Sequence, residues 1–259
     1  MAECIHGFDE GMCDICSPRQ SVAAPVAVTT TATRTPPPQA RRSLARAPQV
    51  AGASSPRQPP FGARRLYHVT HARNLESILL DGAIRSIGSG ADPDVDVTAP
   101  IVRALRNARD VGDGRTVTGF VPFNLSPDAA RWAELRDGAT GSHWSAAARL
   151  TSATEFVMLV VAANAIGTDV VVADGDASAP ATKLTVGEPG KALLRAARED
   201  PELGTVEVLV PDQVPLDAVL LIGVSNEPMR YRVRRMFEAV DRIPPKIVVH
   251  TPWFTPAGA

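Results

Sequence analysis

Beyond residue 16 the chain has no cysteine, which confines any thiol-based metal or redox chemistry to its first segment. No window approaches the ~18 uncharged apolar residues that a bilayer-spanning helix needs, so no membrane association is expected. The start, Met1-Ala2-Glu3-Cys4, lacks the basic residues and apolar core of a secretory signal, and a cytoplasmic location is the expectation. Internal repeats, a Walker loop and a Gly-x-Gly-x-x-Gly turn are all missing, so the common nucleotide folds are not signalled. Net charge is small as well, −1 over 259 residues. That excludes a protein that coats nucleic acid by bulk electrostatics, although a local basic groove stays possible.

The small net charge hides a segregation. Residues 1–16 hold four acids and no Lys or Arg, residues 17–63 hold six arginines and no acid, and the remainder is net −3. All three cysteines, with one histidine, form the pattern C-x-H-x6-C-x2-C at Cys4, His6, Cys13 and Cys16. Three thiolates and an imidazole suit tetrahedral Zn²⁺, and the x2 spacing lets one turn present two sulfurs to the same ion. With four protein ligands the site is closed, hence structural, and metal binding supplies folding energy that sixteen residues cannot draw from a core. The competing readings are chance cysteines or a redox Cys-x-x-Cys pair. Residues 17–63, with Pro36-Pro37-Pro38 and Pro59-Pro60, lack hydrophobic periodicity and read as a disordered tether. The expected organisation is a zinc knuckle over 1–16, a linker over 17–63 and a folded domain over 64–259.

Within that domain, apolar β-type runs recur at Leu66–Val69, Phe120–Leu125, Glu155–Ala162, Val170–Ala173, Val206–Val210, Ala218–Val224 and Ile247–His250. Helical spacing appears at Asn74–Leu80, closed by Asp81-Gly82, and again after Pro100, where Ile101, Ala104, Leu105 and Ala108 form an apolar stripe that leaves Arg106 off it. A third helix over Met229–Val240 places Met229, Val233, Met236, Phe237 and Val240 on one face. Strands outnumber helices and do not alternate regularly with them, which predicts an α+β fold rather than a doubly wound sheet.

Three blocks combine such runs with polar groups that a plain strand does not need: Tyr67-His68-Val69-Thr70-His71 followed by Asn74-Leu75, Val121-Pro122-Phe123 preceded by Arg106-Asn107, and Val206-Glu207-Val208-Leu209-Val210 followed by Pro215. In order and content they resemble the DarT-type ADP-ribosyltransferases, which modify bases in single-stranded DNA with NAD⁺. The ending, from Pro245-Lys246-Ile247 to Trp253-Phe254, is also similar, so the likeness spans about residues 65–254. The resemblance implies a split, mostly antiparallel sheet with small helices and NAD⁺ in the cleft. It makes Glu207 the catalytic carboxylate, acting on the ribose and as base toward the acceptor, and Arg106 the NAD⁺-gripping guanidinium. It places His68 and Thr70 at the nicotinamide end, with His71, Asn74 and Phe123 as further cofactor contacts. Single-stranded DNA and a macrodomain antitoxin are the implied partners.

Each residue has a plainer reading: Glu207 as the outward member of an alternating strand, Arg106 as one of several solvated arginines, Asn74 as a helix cap, Phe123 as core. The chain also departs from the family. Ala173-Asp174-Gly175-Asp176 stands where a Thr-Asp-x-His run is usual, and an added acid there is expected to weaken contact with anionic DNA. Protein or RNA acceptors, or a degenerate fold acting as a binding module, are the alternatives.

Overall fold

In the computed structural model, residues 65–167, 169–187, 190 and 204–256 are described. The knuckle and tether expected over 1–63 lie outside them. The apolar run Phe156–Ala162 forms β4, the most buried strand, flanked by β1 (Arg65–His71) and β9 (Val219–Val224). Both neighbours are antiparallel to it, and β1 pairs with it from Arg65↔Ala162 to His71↔Phe156. A strand apolar on both faces belongs in the middle of a sheet covered on both sides, and β4 occupies that place. Outside β9 lies β10 (Lys246–Val249), which runs parallel to it.

On the other flank of β1 come β3 (Phe120–Asn124), β7 (Glu207–Pro211), β5 (Val171–Ala173) and β6 (Leu184–Val186). β3 and β7 pair over their full length, whereas β1 and β3 meet only at Tyr67↔Asn124. The sheet is therefore split: past that pair the two strands diverge. A two-stranded ribbon, β2 (Ala83–Arg85) with β8 (Gln213–Pro215), stands apart from it. The α+β class and the mostly antiparallel split sheet agree with expectation, and strand ends differ from those read in the sequence by one or two residues. The ribbon, β6, and two short helices, α3 (Ala130–Arg136) and α4 (Ala146–Leu150), had no strong periodicity to reveal them.

The main core lies where α1 (Asn74–Asp81) and α5 (Glu227–Ala239) cover one face. Leu75, Ile78 and Leu79 meet Val233 and Phe237 there, over Leu66, Phe123, Leu159 and Ile222. Gly82 ends α1 at φ +70°, a left-handed conformation that L side chains rarely adopt, and the movable tip of Arg242 lies 2.8 Å from where a Cβ would stand. A smaller cluster on the opposite face gathers Val117, Phe120, Val171, Ala173 and Leu209.

One helix is turned round relative to its sequence pattern. In α2 (Pro100–Ala108) the stripe Ile101, Ala104, Leu105 and Ala108 faces solvent, Ile101 at 63% and Leu105 at 44% exposure. The inner face consists of Val102 with Arg103 and Arg106, and Arg109 continues it just past the helix end. Leaving Ile and Leu in water forgoes roughly 1.5–3 kcal/mol each. Turning the helix back would strip the guanidiniums from Asp96, Glu207 and the Thr182 carbonyl, and unpairing one buried charge alone costs about 3–5 kcal/mol. Charge pairing wins.

Candidate active site

The split between β1 and β3 opens into a cleft of about 300 Å³. Its walls include His68, Thr70 and His71 from β1, Asn74 from α1, Pro122 and Asn124 from β3, Glu207 from β7, Arg103 and Arg106 from α2, and Arg131 from α3. Pro122 shows how the opening is built. Its carbonyl points away from β7 and accepts a 2.9 Å hydrogen bond from Nδ1 of His68. The N–H that proline lacks would have pointed the same way, toward the gap, so this position removes no rung from the ladder.

Glu207 is 6% exposed. It sits on the opposite face from buried Val206 and Val208, as alternation requires, but that face is roofed by α2 and by the turn after β5 rather than by water. Nη2 of Arg106 donates to Oε2 of Glu207 at 3.0 Å, and Nη1 lies 3.7 Å from Asp176. Burial opposes the Arg106 charge, but attraction and hydrogen bonding from Glu207, with Asp176 behind them, raise its pKa above the ordinary value. The guanidinium still has N–H donors beyond those two contacts, which suits a second anion.

Asp176 was anticipated as an added acid facing the substrate. Instead its charge is taken up within the protein: Arg131 pairs closely with it, Arg106 approaches it, and the Ser178 N–H and hydroxyl donate to it at 2.8 and 2.7 Å. Burial pushes its carboxyl up, yet these partners hold it below the usual range, so it stays ionised. The expected weakening of DNA contact loses its physical basis, since the charge does not face the substrate bare. Arg131 also lies over the Trp144 ring, 5.1 Å from its centroid, and Trp144 is buried in the cleft wall. Neither Asp176 nor Arg131 was singled out as a site residue from sequence. The Asp-x-Ser spacing of a side-chain turn was the one local signal.

His68 and Thr70 both line the cleft. A carbonyl can only accept, so the His68 bond to Pro122 places the proton on Nδ1 and leaves Nε2 bare. Burial lowers the His68 pKa, partly countered by that backbone bond, so the ring is neutral at pH 7. Protonation would replace an acceptor by a donor. Affinity for a ligand that donates to Nε2, such as a carboxamide NH₂, is expected to be level from pH 8 to about 6.5 and to fall on the acid side, by roughly tenfold. Titrating NAD⁺ binding against pH checks this; His68→Gln should lose the step, and affinity that rises as pH falls would contradict it.

The remaining candidates behave differently. His71 is buried, takes the Arg73 N–H on Nδ1 at 3.2 Å and packs edge-on against Phe156, which makes it part of the wall's support. Asn74 does not cap α1, whose N-cap is Arg73. Its amide clamps Val95 from both sides (2.9 and 2.8 Å) and reaches Thr70 Oγ1 at 3.2 Å, pinning the loop that carries Asp94 and Asp96. Phe123 corrects the sequence reading. It is fully buried in the main core, 5.5 Å from the His68 ring, and does not reach the cleft, because alternation along β3 gives the cleft Phe120, Pro122 and Asn124 instead. No group of three or more metal-ligating side chains exists among the described residues, and the Cys4, His6, Cys13 and Cys16 set falls outside them.

The fold has known counterparts. Thermus sp. 2.9 DarT in complex with ADP-ribosylated ssDNA is similar with a TM-score of 0.63 at 19% identity, over 76% of this chain and 99% of that one. The same protein in complex with NAD⁺ gives 0.59 at 19% identity, over 74% and 98%. Thermosipho africanus DarTG in complex with ADP-ribose gives 0.55 at 18%, over 74% of this chain and 51% of that one. At such identity these likenesses establish the fold. Comparison with curated proteins gave no match. The family model described as "ssDNA thymidine ADP-ribosyltransferase, DarT" matches residues 67–255, most of the chain, and with the fold in agreement the protein belongs to the DarT family of ADP-ribosyltransferases.

Proposed function

We propose that this domain transfers ADP-ribose from NAD⁺ to a nucleobase in single-stranded DNA, thymidine being the acceptor named for its family, and releases nicotinamide. The observation that carries the assignment of roles is the Arg106–Glu207 pair, two charges held 3.0 Å apart in the cleft wall. Cleavage of the nicotinamide–ribose bond leaves the bonding electrons on nicotinamide and positive charge at the ribose. A carboxylate fixed on a rigid strand stabilises that charge without reorganising. As the base nitrogen bonds to the ribose carbon it loses a proton, and Glu207 is the group that takes it. Arg106 holds the substrate's anionic part through its spare donors while pairing with Glu207. Bare Nε2 of His68 and the Thr70 hydroxyl serve the carboxamide and ribose end. The donor set fits NAD⁺: a cation for the diphosphate, an acceptor for the amide and a carboxylate for the reacting carbon. His71 and Asn74 hold the wall and loop around it.

The assay is incubation of the full chain with labelled NAD⁺ and single-stranded oligonucleotides. Label on DNA supports this reading. Label on protein or RNA alone would shift the acceptor, and NAD⁺ left intact would make the fold a binding module.

The partners and surroundings are proposed with it. A macrodomain hydrolase that removes the mark fits a toxic activity of this kind. No helix among the described residues is long and apolar enough to cross a membrane, and DNA as substrate argues for the cytoplasm. We further propose that residues 1–16 bind structural Zn²⁺ through Cys4, His6, Cys13 and Cys16 and that 17–63 tether them to the transferase domain at 64–259. Metal analysis that finds no zinc would remove the knuckle.

A further inference from the structure

Helix α5 carries Arg230-Tyr231-Arg232-Val233-Arg234-Arg235, four guanidiniums within six residues, in a region whose charge is otherwise net negative. Met229, Val233 and Phe237 anchor its inner face, so Tyr231, Arg232, Arg234 and Arg235 stand outward. Tyr231 is 68% exposed. Arg230 and Arg235 are paired with Glu227 and Glu238 at 2.6 Å, but such exposed pairs are worth little and exchange easily. Arg232 and Arg234 form no ion pair among the described residues.

The position of this face matters as much as its charge. α5 packs on α1, whose Asn74, Ser77, Ile78 and Asp81 line the cleft. Arg232 is near enough to His71, in the cleft wall, for its charge to act on that imidazole. A strand whose base enters the cleft must leave it on some side, and the α5 side offers unpaired guanidiniums next to an exposed ring.

We infer that the outer face of α5 binds the single-stranded DNA flanking the modified base, with Arg232 and Arg234 on phosphates and Tyr231 stacked under a base. Cations interleaved with an aromatic are what a flexible strand with exposed bases recognises, without regard to sequence. An acidic protein surface matches the arginines alone, whereas a single strand offers phosphates and bases in alternation to match both the cations and the ring, which is why DNA is favoured. The inference rests on the proposed acceptor and extends it from the cleft to a track outside it.

The test compares oligonucleotides of about 4 and about 20 nucleotides around one target base, with the wild-type full chain and the triple variant Tyr231→Ala, Arg232→Ser, Arg234→Ser. All three side chains are on the surface, so the fold should hold, and unchanged turnover of the short oligonucleotide verifies it. The wild type should favour the long strand by tenfold or more, and the variant should lose that preference. The slope of log affinity against log salt for the long strand should fall by about 1.4, two contacts at ~0.7 each. A variant that keeps both the preference and the slope overturns the inference. Should the wild type label no DNA at all, the proposed acceptor fails instead, and fluorescence anisotropy of the long strand still reads the α5 face: equal binding by wild type and variant overturns the track.

Discussion

Glu207→Gln should slow ADP-ribose transfer to DNA by about 10²–10³-fold while NAD⁺ affinity changes by less than a few-fold. The amide has the same shape, and its oxygen still accepts from Arg106, so the cleft wall should keep its form. What is lost is the negative charge that opposes the developing ribose cation, together with the base for the acceptor proton. Both losses appear in the transition state and neither in the ground state, so the effect belongs in the single-turnover rate. A rate within a few-fold of wild type would remove Glu207 from the chemistry and leave the Arg106–Glu207 pair a structural one.

Arg106→Ala is expected to be damaging in two ways at once. It abandons Glu207 in a wall where only 7% of its side chain is exposed, and it removes a neighbour of Asp176. Stranding a buried charge costs about 3–5 kcal/mol, which for a domain of this size lowers the melting temperature on the order of 10 °C. It also deletes the cation proposed to hold the diphosphate, so NAD⁺ affinity should drop by 10-fold or more. Arg106→Lys separates the two effects. A single ammonium neutralises Glu207 and restores much of the stability, but it cannot reach Glu207 with one nitrogen while presenting others to Asp176 and a phosphate. Melting curves and NAD⁺ titrations on both variants check this. Arg106→Lys binding NAD⁺ as well as wild type would show that the fork has no role there.

That these two residues share one cleft was legible in the sequence, and the reason is order. Arg106 and Glu207 each have an ordinary local context, but they stand in a fixed succession with the Tyr67–His71 block and Val121-Pro122-Phe123, and the fold brings that succession to one cleft. Strands such as Phe156–Ala162 were legible because burial on both faces writes itself as an unbroken apolar run. The orientation of α2 was not. Its apolar spacing was real, but the rule that such a stripe faces inward assumes an apolar surface to meet it, and here the surface is Glu207, Asp176 and Asp96. Phe123 was misplaced because Val-Pro-Phe carries no mark of which alternate residue looks into the gap, although Pro122 itself marks an unpaired edge. The Arg131–Asp176 pair joins a seven-residue helix to a turn 45 positions away, and neither has a period that reveals it.

The parting of β1 from β3 does more than make room. A backbone carbonyl released from strand pairing must find another donor, and at Pro122 that donor is an imidazole. The same separation that opens the cleft thereby dictates the tautomer of the histidine in its wall. Were the two strands zipped together past Tyr67, that oxygen would be consumed by the ladder, and His68 would have neither its anchor nor its fixed proton.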